Sequence, residues 1–253
     1  MHLINRKKKY LILKKIFPSY ISSELFVKYL RAEGISIGKK TKFFDPKSTF
    51  VDIERPWLLH IGEYCKITKG VTILVHDYSR SVLRRKYGDI LGECKETFIG
   101  DNVFVGMNSI ILMGTHIGNN SIVGAGSVVS GYFKDDVVLA GNPARVICSL
   151  EDYYEKRKRS YVEEGKLWVL KFYEKYNRKP TIKEMGVFFP LFLSRSRKEL
   201  IKNDIFTNWS ADEEDEIISS FLNICIFSSL FFLFEFYLNI KTIFNKSSKR
   251  ENL

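Results

Sequence analysis

A branched aliphatic residue falls at every sixth position along one stretch of the chain: Ile99, Val105, Ile111, Ile117, Val123 and Val129. Glycine follows four of them, at Gly100, Gly106, Gly118 and Gly124. A period of six matches neither the 3.6-residue turn of a helix nor the two-residue repeat of a strand. It fits a parallel β-helix built of hexapeptide repeats, in which six residues make one flat side and three sides close a coil. Successive coils then stack one strand spacing apart, about 4.8 Å.

The same beat starts earlier, at Ile37-Gly38, Phe43 and Thr49, and resumes at Ile61-Gly62, Ile67 and Ile73. Two inserts interrupt it, near 52–60 and 78–97. The repeats supply roughly five coils, above the three or so that a stacked core needs. The fold expected is mainly β. A β-helix domain spans 35–148, preceded by a basic helical cap over 1–34 and followed by a helical extension over 149–253. In the cap, Pro18 breaks a lysine-rich run and Ser22 can start a second helix through about Arg31. A cap over the open coil end is favoured over a membrane-surface helix, because a bare end exposes unpaired backbone. Three capping boxes divide the extension: Ser149–Asp152, Thr181–Glu184 and Ser210–Glu213. The apolar tail 221–244 has the length of a bilayer span, but its polar residues make a packed or self-associating helix an equal reading.

Net charge is +11, concentrated in Arg6–Lys15 and in Lys156–Lys202. Such flanks suit anionic neighbours: a phosphate-bearing cofactor, an acidic glycan or a membrane surface. No nucleic-acid partner is expected, because no zinc spacing or recognition motif accompanies the charge. The four cysteines show no framework spacing, and Met1–Phe17 is a poor signal peptide. The expectation is a cytoplasmic protein, with peripheral membrane contact through the basic N-terminus or the apolar tail left open.

Only His2, His60, His76 and His116 could serve as an imidazole base. His2 is terminal, His60 ends an insert, and His116 takes a turn position in Gly114–Gly118. His76 stands where the coil stops and the aromatic, basic insert begins, so it is the candidate catalytic base. Whether Asp77 orients that ring or anchors the turn is not decided by the sequence.

These motifs resemble the hexapeptide-repeat, left-handed β-helix acyltransferases, a family that includes maltose, galactoside and serine acetyltransferases. The likeness is nearest to the branch of capsular and surface-polysaccharide O-acetyltransferases. It rests on the Ile/Val-Gly-x-Asn repeats, Val123-Gly-Ala-Gly-Ser-Val-Val129 and the terminating Ala140-Gly-Asn-Pro-Ala-Arg145, over about Ile35–Leu150. The resemblance implies acetyl-CoA as donor, a saccharide acceptor, no metal, and a homotrimer with its active sites between subunits. It makes His76 the general base. It places Met107, Gly124, Ala125, Gly126, Ser130 and Gly131 along the pantetheine arm, and Arg145 near the cofactor's phosphates. Ser130-Gly131 departs from the family's frequent Thr-Lys and removes one positive charge.

The mechanism expected is direct transfer in a ternary complex: His76 takes the proton of a sugar hydroxyl as its oxygen attacks the thioester, with no acyl-enzyme. Arg55 and Trp57 from the first insert, with Asp77, Tyr78, Arg80, Lys86 and Tyr87 from the second, are candidates to hold the acceptor. The leading alternative is N-acetylation of an amino-sugar nucleotide or small amine. A non-catalytic scaffold and a zinc enzyme of the γ-carbonic-anhydrase type are remote ones, the latter lacking a close histidine pair.

Overall fold

The computed structural model describes residues 22–193, 196–203 and 211–223. They form two compact units, divided at Tyr154/Glu155.

In the first unit the hexapeptide beat becomes fourteen short parallel strands and one antiparallel return, in three sheets. One face holds β1 (Ser36–Ile37), β4 (Leu59–Ile61), β7 (Thr97–Ile99), β10 (His116–Ile117) and β13 (Tyr132–Phe133). The second face holds β2 (Lys42–Phe43), β5 (Lys66–Ile67), β8 (Phe104–Val105), β11 (Ile122–Val123), β14 (Val137–Gly141) and β15 (Ala144–Ser149). The third holds β3 (Phe50–Val51), β6 (Thr72–Ile73), β9 (Ile110–Ile111) and β12 (Val128–Val129). Neighbours pair in parallel except β14 with β15, which turn back on each other around a cis Asn142–Pro143 bond. The six aliphatics of the opening repeat all point inward and are 0% exposed. Non-polar burial is the largest favourable term available to such a stack.

The corners explain the small and polar residues between the aliphatics. Side-chain oxygens climb one edge from coil to coil: Asp101 Oδ1 accepts from Glu63 N at 2.7 Å, and Asn119 Oδ1 from Asp101 N at 2.8 Å. Asp135 Oδ1 continues the ladder by accepting from Asn119 N at 2.8 Å. The next corner residue turns left-handed, at Asn102 (φ 54°), Asn120 (φ 51°) and Asp136 (φ 59°), where Asn and Asp are tolerated best. Gly106 is required by close approach, since a Cβ there would lie 2.5 Å from the Ala125 amide nitrogen of the next coil.

Helix α1 (Ser23–Glu33) caps the open end, with Ser22 Oγ accepting from Leu25 N at 3.2 Å. Its Phe26, Val27 and Leu30 join the cluster containing Ile35, Phe43 and Leu59, and Phe26 meets Phe43 edge to face. The cap reading therefore holds for this helix; the preceding basic run lies outside the described residues. "Mainly β" fits residues 36–149, but helices flank that core. Helix α2 (Arg80–Tyr87) occupies the second insert, and α3 (Leu150–Tyr176) runs for 27 residues. The inserts are slightly shorter than expected, because Leu59 and His60 already belong to β4 and Thr97 to β7.

Ser149 caps α3 as its sequence predicts, its Oγ accepting from Asp152 N at 3.0 Å. In the second unit Met185, Phe189, Leu193 and Leu200 pack with Val169, and helices α4 (Arg197–Lys202) and α5 (Ala211–Asn223) follow. The Thr181–Glu184 box closes in both directions, with Thr181 N donating to Glu184 at 2.8 Å and Glu184 N to Thr181 Oγ1 at 3.3 Å. The Ser210–Glu213 box and the tail beyond Asn223 lie outside the described side chains. No helix among the described residues is long and apolar enough to cross a membrane.

Two expected outcomes follow from this packing. Gly106→Ala should lower unfolding free energy by about 1–3 kcal/mol, read from the guanidinium midpoint, because the added methyl meets backbone rather than a movable side chain. Hydrogen bonds from Arg178, then from the Thr181 amide, hold the Glu184 carboxyl down at about 2 from an ordinary 4.5. A depressed carboxyl contributes stability that is present above its unfolded value and lost as pH falls toward the folded one. Arg178→Ala should therefore move the Glu184 titration, followed by carbon NMR, upward toward the ordinary value.

Candidate active site

The candidate site lies at the corner between the third and first faces. Strand β3 pairs with β6 in the register Phe50↔Thr72 and Val51↔Ile73. That register stacks the residues leaving each strand, Asp52 below and Val75-His76 above. Asp52 is 2% exposed, a buried carboxylate that must be satisfied locally. Its Oδ2 accepts from Val75 N at 3.1 Å and hydrogen-bonds His76 Nδ1, and its Oδ1 accepts from Glu54 N at 3.1 Å. The imidazole is thereby fixed in orientation, with Nδ1 committed to Asp52.

The other ring nitrogen faces outward. Its neighbour is Glu54 Oε2, at 3.1 Å from His76 Nε2. The Glu54 side chain is 68% exposed and that of His76 only 17%. Arg55 Nη1 lies 3.8 Å from the same Glu54 Oε2. Among the described residues, that Nη1 is the buried side-chain nitrogen or oxygen atom without a hydrogen-bond partner.

The second insert leaves from this corner and returns to it. His76 and Cys94 form an antiparallel bridge, and Lys95 N donates to Val75 O at 3.0 Å. Asp77 anchors the turn: its Oδ1 accepts from Ser79 N at 3.1 Å and from Ser79 Oγ at 2.9 Å. The carboxylate that orients His76 is Asp52, at the start of the first insert. The six-residue beat in the sequence falls on Thr49, whereas the structure pairs Val51 with Ile73, and that two-residue shift hides the pairing.

The acceptor-side candidates fall into separate groups. Arg55 belongs to the Asp52–Glu54–His76 cluster. Arg80 lies over the Tyr78 ring at 4.2 Å, and Lys86 over the Tyr87 ring at 5.1 Å. Tyr78, Tyr87 and Trp57 are 61%, 63% and 71% exposed, the two tyrosine rings each with a cation over one face.

The residues implied for the donor occupy two corners. Met107 and Gly124–Gly126 share the edge between the second and third faces, where Gly126 N donates to Met107 O at 2.8 Å. Ala125 and Gly126 are exposed, and a Cβ on Gly126 would meet nothing within 4 Å. Ser130 and Gly131 leave β12 at the same edge of the third face as His76, two strand spacings along, roughly 10 Å. Arg145 lies on β15 opposite Ala140, exposed, with Nη1 donating to Ala144 O at 2.8 Å. This small-residue edge and exposed guanidinium suit a slender arm ending in phosphates.

His60 and His116 serve a different purpose. His116 is in a strand, not at a turn as its glycine-flanked position suggests. His60, Phe98, His116 and Tyr132 stack as a column on the first face, with centroids 4.8, 4.6 and 4.4 Å apart and planes within 11°. Phe98 separates the two imidazoles, and no three His, Cys, Asp or Glu side chains among the described residues converge as a metal set.

Residues 97–130 match the family model described as the hexapeptide repeat of succinyl-transferase. Protein CapG of Staphylococcus aureus is 39% identical over 175 residues, covering 65% of this chain and all of that protein. The galactoside O-acetyltransferase of Escherichia coli is 37% identical over 100 residues, which is 38% of this chain and 48% of that enzyme. A hexapeptide-repeat acetyltransferase of Vibrio cholerae, solved with acetyl coenzyme A, covers 59% of this chain and 87% of its own at 23% identity and a TM-score of 0.41. With its stacked six-residue sides and a full-length relative, the chain belongs to the hexapeptide-repeat, left-handed β-helix acyltransferases.

Proposed function

We propose that the protein is an acetyl-CoA-dependent O-acetyltransferase acting on a sugar hydroxyl of a surface polysaccharide or its precursor. The observation that carries this reading is the His76 ring, held by buried Asp52 at Nδ1 and turned outward at Nε2 beside exposed aromatic residues. Among its relatives, one is a galactoside O-acetyltransferase and another is described with lipopolysaccharide biosynthesis. When bound, the donor supplies an activated acetyl thioester.

The chain's own groups then do three things. His76 Nε2 accepts the proton of the attacking hydroxyl while Asp52 stabilises the charge that the ring acquires. Trp57, Tyr78 and Tyr87 offer flat apolar faces to sugar C–H surfaces, and Arg80 and Lys86 supply positive charge around them. The edge at Met107 and Gly124–Gly126, with Ser130, Gly131 and Arg145, holds the donor. Since the His76 and Gly126 edges bound opposite sides of one face, a homotrimer that brings a neighbour's edge to each His76 completes the site.

His76→Ala should reduce kcat about 10²- to 10⁴-fold with the donor KM little changed, measured by thiol release against a panel of glycosides. Asp52→Asn should approach the same loss, because the amide no longer fixes the ring and its charge. Mild alkali should remove the acetyl group from the product; retention would mark an amide and sink the O-acetyl reading. Arg145→Ala should raise the KM for acetyl-CoA about tenfold while leaving that for acetyl-pantetheine unchanged, since only the former carries the phosphates.

A further inference from the structure

The group on the reactive side of His76 is a carboxylate, and a carboxylate there opposes the reaction. Asp52 Oδ2 holds Nδ1, and Glu54 Oε2 stands 3.1 Å from Nε2, where an attacking hydroxyl would have to sit. Any attacking oxygen must first displace Glu54 from Nε2.

The displaced carboxylate has a second station. Glu54's backbone is pinned through its amide to Asp52 Oδ1, so only its exposed side chain moves. Beside it, 3.8 Å away, is the Arg55 Nη1 that lacks a hydrogen-bond partner. Moving toward Arg55 closes that gap and satisfies a buried donor whose isolation is costly.

We propose that Glu54 is a specificity-determining residue: it occupies Nε2 of His76 until a polyhydroxylated acceptor displaces it onto Arg55, and so discriminates that acceptor against water. This rests on His76 being the base of the proposed acetyl transfer. A sugar offsets the displacement with contacts made by its non-reacting atoms, whereas water has none to contribute. Once on Arg55, Glu54 can only accept hydrogen bonds, so it favours an acceptor with a second hydroxyl beside the reacting one and opposes a carboxylate there.

The protons and bonds balance. The acceptor's O–H proton goes to Nε2, the oxygen–carbonyl bond forms, the carbon–sulfur bond breaks, and the ring returns the proton to the departing thiolate. With water as acceptor the same sequence gives acetate and free thiol.

The test follows thiol release from acetyl-CoA alone, with no sugar present, in the full-length protein. Glu54→Ala should raise this hydrolysis about tenfold over wild type, because water then reaches Nε2 without displacing a carboxylate. The double variant Glu54→Ala/His76→Ala should lose the gain. With a glycoside acceptor, Glu54→Ala should keep transferring acetyl but discriminate less between that glycoside and its analogue lacking the neighbouring hydroxyl. Hydrolysis by Glu54→Ala at the wild-type rate, a gain that survives removal of His76, or undiminished discrimination would each overturn the proposal. Failure of the underlying reading looks different: wild type would then show no His76-dependent acetyl transfer to any glycoside.

Discussion

Everything in the first unit depends on register between coils. Each two-residue strand is far too short to stand alone, and its hydrogen bonds run only to the coils on either side, such as Gly100 N to Ile117 O and Gly106 N to Val123 O, both 2.8 Å. A slip of one residue would turn every inward aliphatic to solvent. Two devices hold the register: the buried aliphatic column, and the carboxamide and carboxylate ladder through Asp101, Asn119 and Asp135. The helix Ser23–Glu33 then closes the end at which that pairing would otherwise run out into water.

The Asp52–His76 cluster is a by-product of the same register. Asp52 reaches His76 because the strands that precede them are adjacent rungs, not because they are near in sequence. Asp52 meets its needs on Val75 N, Glu54 N and the imidazole, so its burial is compensated on both oxygens. The ring is thus held on one side by Asp52 and faces Glu54 on the other, whose Oε2 also lies 3.8 Å from Arg55 Nη1.

The repeat was legible in the chain because a period of six is written directly into side-chain type. His76 was legible because it sits where that period stops. Asp52 was not, since the six-residue beat falls on Thr49 whereas the rung that pairs with Ile73 is Val51, and that two-residue shift hides the pairing. Glu54 and the free Nη1 of Arg55 are matters of side-chain direction, which no spacing encodes. His116 was misplaced for a related reason: flanking glycines signal a turn, but ring stacking with Phe98 and Tyr132 on adjacent rungs keeps it in a strand. Asp77, adjacent to His76 in sequence, was left with two roles until Ser79 took its oxygen.

The corner that releases the second insert also limits how such a protein can diversify. Lengthening a flat side would shear every rung above it, whereas lengthening a corner costs only loop closure, which grows slowly with length. His76 and Cys94 clamp the base of that loop, so what lies between them can change without disturbing the stack. A lineage could exchange the segment between these two residues while the aliphatic column stays under unchanged constraint. Recognition and architecture would then drift at different rates within one chain.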